Sequence, residues 1–283
     1  MDGARAPFEG AATFADLFFL TPTEAKPVSY TFPPPPGVPR QSGEYAPRRA
    51  RILDAREAGL DASIDREGFA LLEAPTRTKN FWDEDELRRS YFPETERLLK
   101  DRLGAERVHI FDHTLRKRGR PGALSFRRSV EGEPREPVGR AHVDQTHASG
   151  PRRLREILGE AAESWAARRF AIVNVWRPLF GPVEDAPLAV CDARSVRPEE
   201  LVACDLVFRD RVGETYALAY GPEQRWFYYP RMRRDEVLLL KCYDSREDVA
   251  RFSPHTAFDD PATPRGARPR ESIELRCFVM LPD

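Results

Sequence analysis

The sequence predicts a mainly β fold with flanking helices, built as a sandwich, barrel or jelly roll. Three observations carry this. Residues 170–281 hold a series of short β runs: FAIVNVW (170–176), PLAVC (187–191), TYALAY (215–220), RWFYYP (225–230), DEVLLLKCY (235–243) and ESIELRCFVML (271–281). Pro, Gly and Asp turns divide them, the pattern of an antiparallel β architecture. Helical patterns do not alternate with these runs, which argues against a parallel sheet.

Residues 1–50 are Pro-rich, with four consecutive prolines inside TFPPPPGVPR (31–40). Such a run favours extended polyproline geometry. It reads as an arm that wraps the body or a partner subunit, ahead of one domain spanning 51–283. DREGFALLEAP (65–75) reads as a turn entering a short strand. KNFWDEDELRRSY is a helix start, with Asn80 or Asp83 as cap and acids in the first turn; the next helix has Pro93 in its first turn and Gly104 as its stop. RVHIFDHTLR, from 107, alternates and is β-like; its His109 and His113 read as core or edge residues. SGPRRLREILGEAAESWAARR, from 149, reads as one helix starting near Pro151. Leu154, Ile157, Leu158, Ala161 and Trp165 share one of its faces.

With 283 residues the chain is long enough for a sizeable core. Its 45 basic and 46 acidic residues leave a net charge of −1, and the arginines are interleaved with acids. No global charge draws it to nucleic acid or a membrane surface. No apolar run approaches the roughly 18–20 residues of a membrane span. The N-terminus has an acid at position 2 and no basic region, so it does not read as a secretory signal. Cys191, Cys204, Cys242 and Cys277 lie in apolar, strand-like surroundings without C-x-x-C spacing. They read as reduced core residues of a cytoplasmic protein.

The chemistry centres on HVDQTH. In an extended strand, residues i and i+2 face the same side, so His142 and Asp144 project together. With a second imidazole they form a facial triad, which holds Fe(II) and leaves positions open for a co-substrate and O2. His255, in FSPHTAF, is the candidate third ligand. Arg270 and Ser272 follow in RPRESIELR, again on one strand face. A bidentate guanidinium beside a hydroxyl suits the far carboxylate of a dicarboxylic acid such as 2-oxoglutarate. Other readings stand beside these. His142 and Asp144 also suit capping roles, His255 a surface turn, and Arg270 an edge-strand ion pair, with Arg268 and Arg276 as rival anchors. His147 also suits a local zinc site, or else a place in or near the substrate pocket. Alternation splits Trp226 and Tyr228 from Phe227 and Tyr229, and Trp176 from Arg177. Trp226, Tyr228 and Arg177 are pocket candidates; Arg177 also suits a pair with Asp185, Glu184 or Asp192.

HVDQTH, NVWRPLFGPVEDAPLAVCD, RWFYYPRMRRDEVLLLKCYDS, HTAFDDP and PRESIELR together resemble a family of iron/2-oxoglutarate-dependent enzymes of secondary metabolism. The resemblance covers roughly residues 50–281. It implies a double-stranded β-helix, the cupin-like jelly roll. It also implies Fe(II) on His142, Asp144 and His255, 2-oxoglutarate on Arg270 and Ser272, and O2 as the oxidant. The expected activity is hydrogen abstraction from a small-molecule substrate, giving hydroxylation, desaturation or oxidative cyclisation. The protein could act alone or as a homodimer. Two rivals remain: a zinc-dependent hydrolase or isomerase on a cupin-like sandwich, and a non-catalytic accessory protein of a biosynthetic pathway. Arg270-x-Ser272 separates the oxygenase from the hydrolase, which has no need of it.

Overall fold

A nine-stranded and a five-stranded sheet face one another in the computed structural model, which describes residues 10–119 and 134–282. The large sheet runs in the order β1 (Ala12–Leu20), β3 (Tyr45–Asp54), β11 (Trp226–Tyr228), β8 (Leu188–Cys191), β13 (His255–Ala257), β6 (His142–Val143), β10 (Val212–Leu218), β9 (Leu201–Val207), β2 (Val28–Tyr30). The small sheet runs β4 (Phe69–Glu73), β12 (Glu236–Asp244), β7 (Phe170–Pro178), β14 (Glu271–Met280), β5 (Arg107–Lys117), antiparallel throughout. Every β run read from the sequence is present. Among the described residues, no helix is long and apolar enough to cross a membrane.

The small sheet is buried on both faces, which explains why FAIVNVW reads as a continuous apolar run. Its outer face (Val173, Val175, Leu239, Leu275, Cys277) packs under Leu87, Tyr91 and Leu99 of the helical segment. That segment comprises α1 (Glu84–Glu86), a π-helical turn at Leu87–Tyr91 and α2 (Phe92–Leu103). Asp83 caps α1 by accepting from the backbone of Asp85 and Glu86; Gly104 closes α2 at a φ of 65°. The inner face splits into three zones. Trp176, Leu238 and Leu240 meet Val190 and Phe227 of the large sheet. Ile172, Cys242 and Phe278 pack with Val143 and Trp165. Between them lie Asn174, Glu274 and Arg276, polar residues among mostly apolar ones. Each large apolar side chain buried here contributes about 1.5–3 kcal/mol.

Two expectations need correction. The boundary at residue 50 falls inside β3, and β1 pairs with β3 along its whole length. The alternating residues Ala15, Leu17 and Phe19 bury an apolar face on Ile52 and Trp226, so this segment is part of the sheet. β1 also bridges to Arg140 and Ala219, folding the large sheet back on itself. The run of four prolines lies between β2 and β3, outside strands. The second correction concerns the helix from 149. It breaks into α3 (Ser149–Leu158) and α4 (Ala162–Ala166) at Gly159, whose φ is 53°. The break shifts the phase: Leu154 and Trp165 are buried as expected, but Ala162 replaces Ala161.

The start of α3 follows HVDQTH directly and is seated by a close approach. A Cβ on Gly150 would lie 2.5 Å from the Tyr243 ring, and Tyr243 is itself buried. Gly150→Ala should therefore destabilise the protein by about 1–3 kcal/mol, as overpacking does. Chemical denaturation checks this; a variant as stable as the parent would contradict the seating.

Candidate metal centre

β6 and β13 are neighbours in the large sheet, and His142 and His255 are directly paired across them. Residues far apart in sequence therefore meet, with ring centroids 4.5 Å apart. Asp144 lies just beyond β6 and turns back, its Oδ1 3.3 Å from His142 Nε2. One ligand atom from each of the three lies within 4.8 Å of the others.

The surroundings orient all three. His142 Nδ1 donates to the carbonyl of Arg140 at 2.9 Å, and His255 Nδ1 donates to that of Ser253 at 2.9 Å. A carbonyl can only accept, so both rings carry their proton on Nδ1 and present an Nε2 lone pair to the centre. Burial, and then the neighbouring His142, hold the His255 imidazole below its ordinary pKa, which favours the neutral, ligating form. Asp144 Oδ2 accepts from Asn174 Nδ2 at 2.9 Å and from Arg276 Nε at 3.1 Å, which leaves Oδ1 facing the histidines. Desolvation works against the Asp144 charge. Arg276 first, and then His142, outweigh it and hold the carboxyl well below the usual carboxylate range. Two neutral nitrogens and one carboxylate oxygen, converging from one side, are a donor set suited to Fe(II).

A small cavity of about 20 Å³ adjoins the triad, lined also by Arg116, Trp176, Arg270 and Glu274. Arg270 is 1% exposed, and its guanidinium lies over the Trp176 ring at 5.5 Å. Its Nη1 donates to the Ala186 carbonyl, while among the described residues its Nε and the Ser272 Oγ have no partner. Buried polar atoms without partners are costly, so this pair is poised for an acceptor group. The residues present thus fit both a divalent metal and an anionic co-substrate.

The other expected pocket residues go elsewhere. Trp176, not Arg177, is on the inner face of β7. Arg177 points to the α2 side, where Nε donates to the Tyr91 hydroxyl at 3.1 Å. Its Nη1 and Nη2 donate to the carbonyls of Arg234 and Ala74 at 2.5 and 2.7 Å. Backbone carbonyls and a phenol satisfy this buried cation, so none of the acids considered for it is needed. Trp226 and Tyr228 lie on the face of β11 away from the histidines, packed with Phe19 and Phe258. Phe227 and Tyr229 take the inward face, in the apolar zone. His147 bonds the Tyr216 hydroxyl through Nδ1 at 2.7 Å and lines a separate cavity of about 530 Å³. His147 is not among the three residues whose ligand atoms converge, so the structure does not bring it to His142 and Asp144 as a local zinc site requires. Arg268 stacks on Phe180, and Arg276 holds Asp144 rather than an oxoacid. Sequence reasoning missed Asn174, Arg276 as a positioning residue, Glu274 and Arg116. The available signal was a polar residue at an inward position of an apolar strand.

A family model described as "Oxidoreductase/YMDC permease-like domain" matches residues 17–280. The Fe(II)/2-oxoglutarate-dependent dioxygenase nvfI of Aspergillus novofumigatus is 30% identical over 274 residues, covering 94% of this chain and 95% of the relative. This chain belongs to the Fe(II)/2-oxoglutarate-dependent oxygenases. The oxygenase is also 35% identical over 263 residues to the hydroxylase/desaturase CTB9 of Cercospora beticola, covering 85% of this chain and 78% of the relative. A solved structure of the iron and alpha-ketoglutarate-dependent endoperoxidase NvfI superposes on it with a TM-score of 0.84 at 29% identity. That match covers 96% of this chain and 99% of the other. The oxygenase therefore has the jelly-roll fold of its relatives, and its cofactors are Fe(II), 2-oxoglutarate and O2.

Asn174→Ala removes one of the two donors to Asp144 Oδ2. The affinity for Fe(II), or for Mn(II) as a stable substitute, should fall by about 10–100-fold. Anaerobic titration calorimetry checks this, with a melting curve to confirm that the fold persists. Undiminished affinity would show that Arg276 alone fixes the carboxylate.

Proposed function

We propose that His142, Asp144 and His255 hold the iron, and that Arg270 and Ser272 receive the far carboxylate of 2-oxoglutarate. The enzyme then removes a hydrogen atom from a small organic substrate, giving hydroxylation, desaturation or oxidative cyclisation. The observation that carries this is the convergence of two Nδ1-locked imidazoles and an oriented carboxylate beside a buried guanidinium with an unpartnered Nε. A zinc hydrolase would not need that guanidinium and hydroxyl.

Bound iron, with 2-oxoglutarate and O2, supplies the oxidising chemistry. The chain's own residues place and shield it. The carbonyls of Arg140 and Ser253 fix the two imidazole tautomers. Asn174 and Arg276 hold Asp144 ionised and turned toward the metal position. Arg270, rigid between Trp176 and the Ala186 carbonyl, offers its remaining donors to the oxoacid. Trp176 and Leu188 wall the cavity with apolar surface, which limits water and strengthens the charge contacts inside. Relatives carrying the names hydroxylase/desaturase and endoperoxidase support a common first step with several outcomes. The four cysteines, all buried and outside disulfides, support a reducing, cytoplasmic setting.

Anaerobic addition of Fe(II) and 2-oxoglutarate should give a weak visible metal-to-ligand charge-transfer band in the parent protein. His255→Ala should lose it. A parent protein that gives neither the band nor measurable 2-oxoglutarate affinity would overturn the assignment.

A further inference from the structure

Arg116 lines the same cavity as the triad and Arg270. It lies on β5 directly opposite Ser272 of β14. Arg270, just before β14, and Ser272 and Glu274 on it follow one another on the inward face by alternation. Arg116 and Arg270 therefore belong to one wall of the cavity, with Ser272 beside both on the same sheet face.

Their charge state is unusual for neighbours. Arg118 pairs with Asp185 and Asp259, and Arg276 pairs with Asp144, Asp112 and Glu274. Among the described residues, neither Arg116 nor Arg270 has a carboxylate partner. Among the described residues, the Arg116 side chain donates only to the Glu136 carbonyl, through Nη1 at 3.0 Å. The acids nearest to the pair are already committed: Glu274 accepts from Arg276 at 2.5 Å, and Asp185 accepts from Arg118 and from the Arg270 backbone N–H. Burial, and then the positive charge of Arg116, push the Arg270 guanidinium down to about 9. Two guanidinium groups that share a small cavity without an anion repel each other, and the low local dielectric amplifies the repulsion. An anion placed between them reverses the sign.

We propose that Arg116 is a second cationic anchor, gripping the far carboxylate of 2-oxoglutarate together with Arg270 and Ser272. The inference rests on the assignment of Arg270 and Ser272 made above. Its consequence is selectivity: the wall accepts an oxoacid with a terminal carboxylate and discriminates against one without it. A monocarboxylic oxoacid of the same length leaves both guanidinium groups unpaired, and so gains nothing from Arg116.

The test compares 2-oxoglutarate with 2-oxopentanoate, which has the same chain but ends in a methyl group. Binding to the full-length, Mn(II)-loaded protein is measured anaerobically by calorimetry, with no turnover involved. Arg116→Met should weaken 2-oxoglutarate by about tenfold or more, in line with a hydrogen bond to a charged group, and leave 2-oxopentanoate within about twofold. Without oxoacid the variant should melt no lower than the parent, because a repulsive charge is gone. Arg116→Gln keeps a polar side chain without the charge and should show the same selective loss; it serves if the Met variant does not fold. Unchanged 2-oxoglutarate affinity, or an equal loss for both acids, overturns the role of Arg116. A parent protein that binds both acids equally overturns the earlier assignment of Arg270 and Ser272 instead.

Discussion

The architecture turns on one half-buried carboxylate. Asp144 must stay ionised between two sheets, where a lone charge would be prohibitive. The small sheet answers with Arg276 and Asn174, reaching across to its Oδ2. Arg276 in turn needs Asp112, Thr114 and Glu274 to hold its own fork in place. The inter-sheet layer therefore cannot be uniformly apolar. It divides into two hydrophobic ends and a charged middle, and that middle is where the two histidines project. Fold and site share one constraint: the sheets are glued by the same contacts that aim the ligand.

Cation placement follows the same logic. Arg177 is buried as deeply as Arg270, at 3% and 1% exposed. Their environments separate them. Arg177 has every nitrogen committed, to a phenol and two backbone carbonyls, so it clamps α2 and its neighbouring loops. Among the described residues, Arg270 commits only Nη1, to a backbone carbonyl, and lies beside an uncommitted hydroxyl. Burial alone did not distinguish a structural arginine from a ligand-binding one; the state of its donors did.

Much of this was legible in the sequence, because period and residue type act locally. Strand alternation put His142 beside Asp144, and the R-x-S spacing put Arg270 and Ser272 on one face. The side of the sheet was not legible. Alternation separated Trp226 and Tyr228 from Phe227 and Tyr229, and Trp176 from Arg177, but which set faced the centre depended on the partner sheet. Trp226, Tyr228 and Arg177 fell on the far side for that reason. β13 was hidden because three residues, His255–Ala257, are too few to show a period. β1 was read as an arm because the prolines after it dominated the composition. Asn174 and Arg276 were visible only as misfits in apolar strands, and their meaning came from a carboxylate on the opposite sheet.

The bridge between β1 and Arg140 makes the amino-terminal segment a hidden brace of the catalytic centre. The backbone N–H of Ala141 donates to the Phe18 carbonyl at 2.9 Å, and the Arg140 carbonyl next to it sets the proton on His142. An edge strand of the large sheet thus reaches the metal position through two consecutive peptide groups. Trimming the chain to a tidier core, a habitual step in preparing such proteins, would cut the guy-rope of a ligand while leaving every residue of the triad in place.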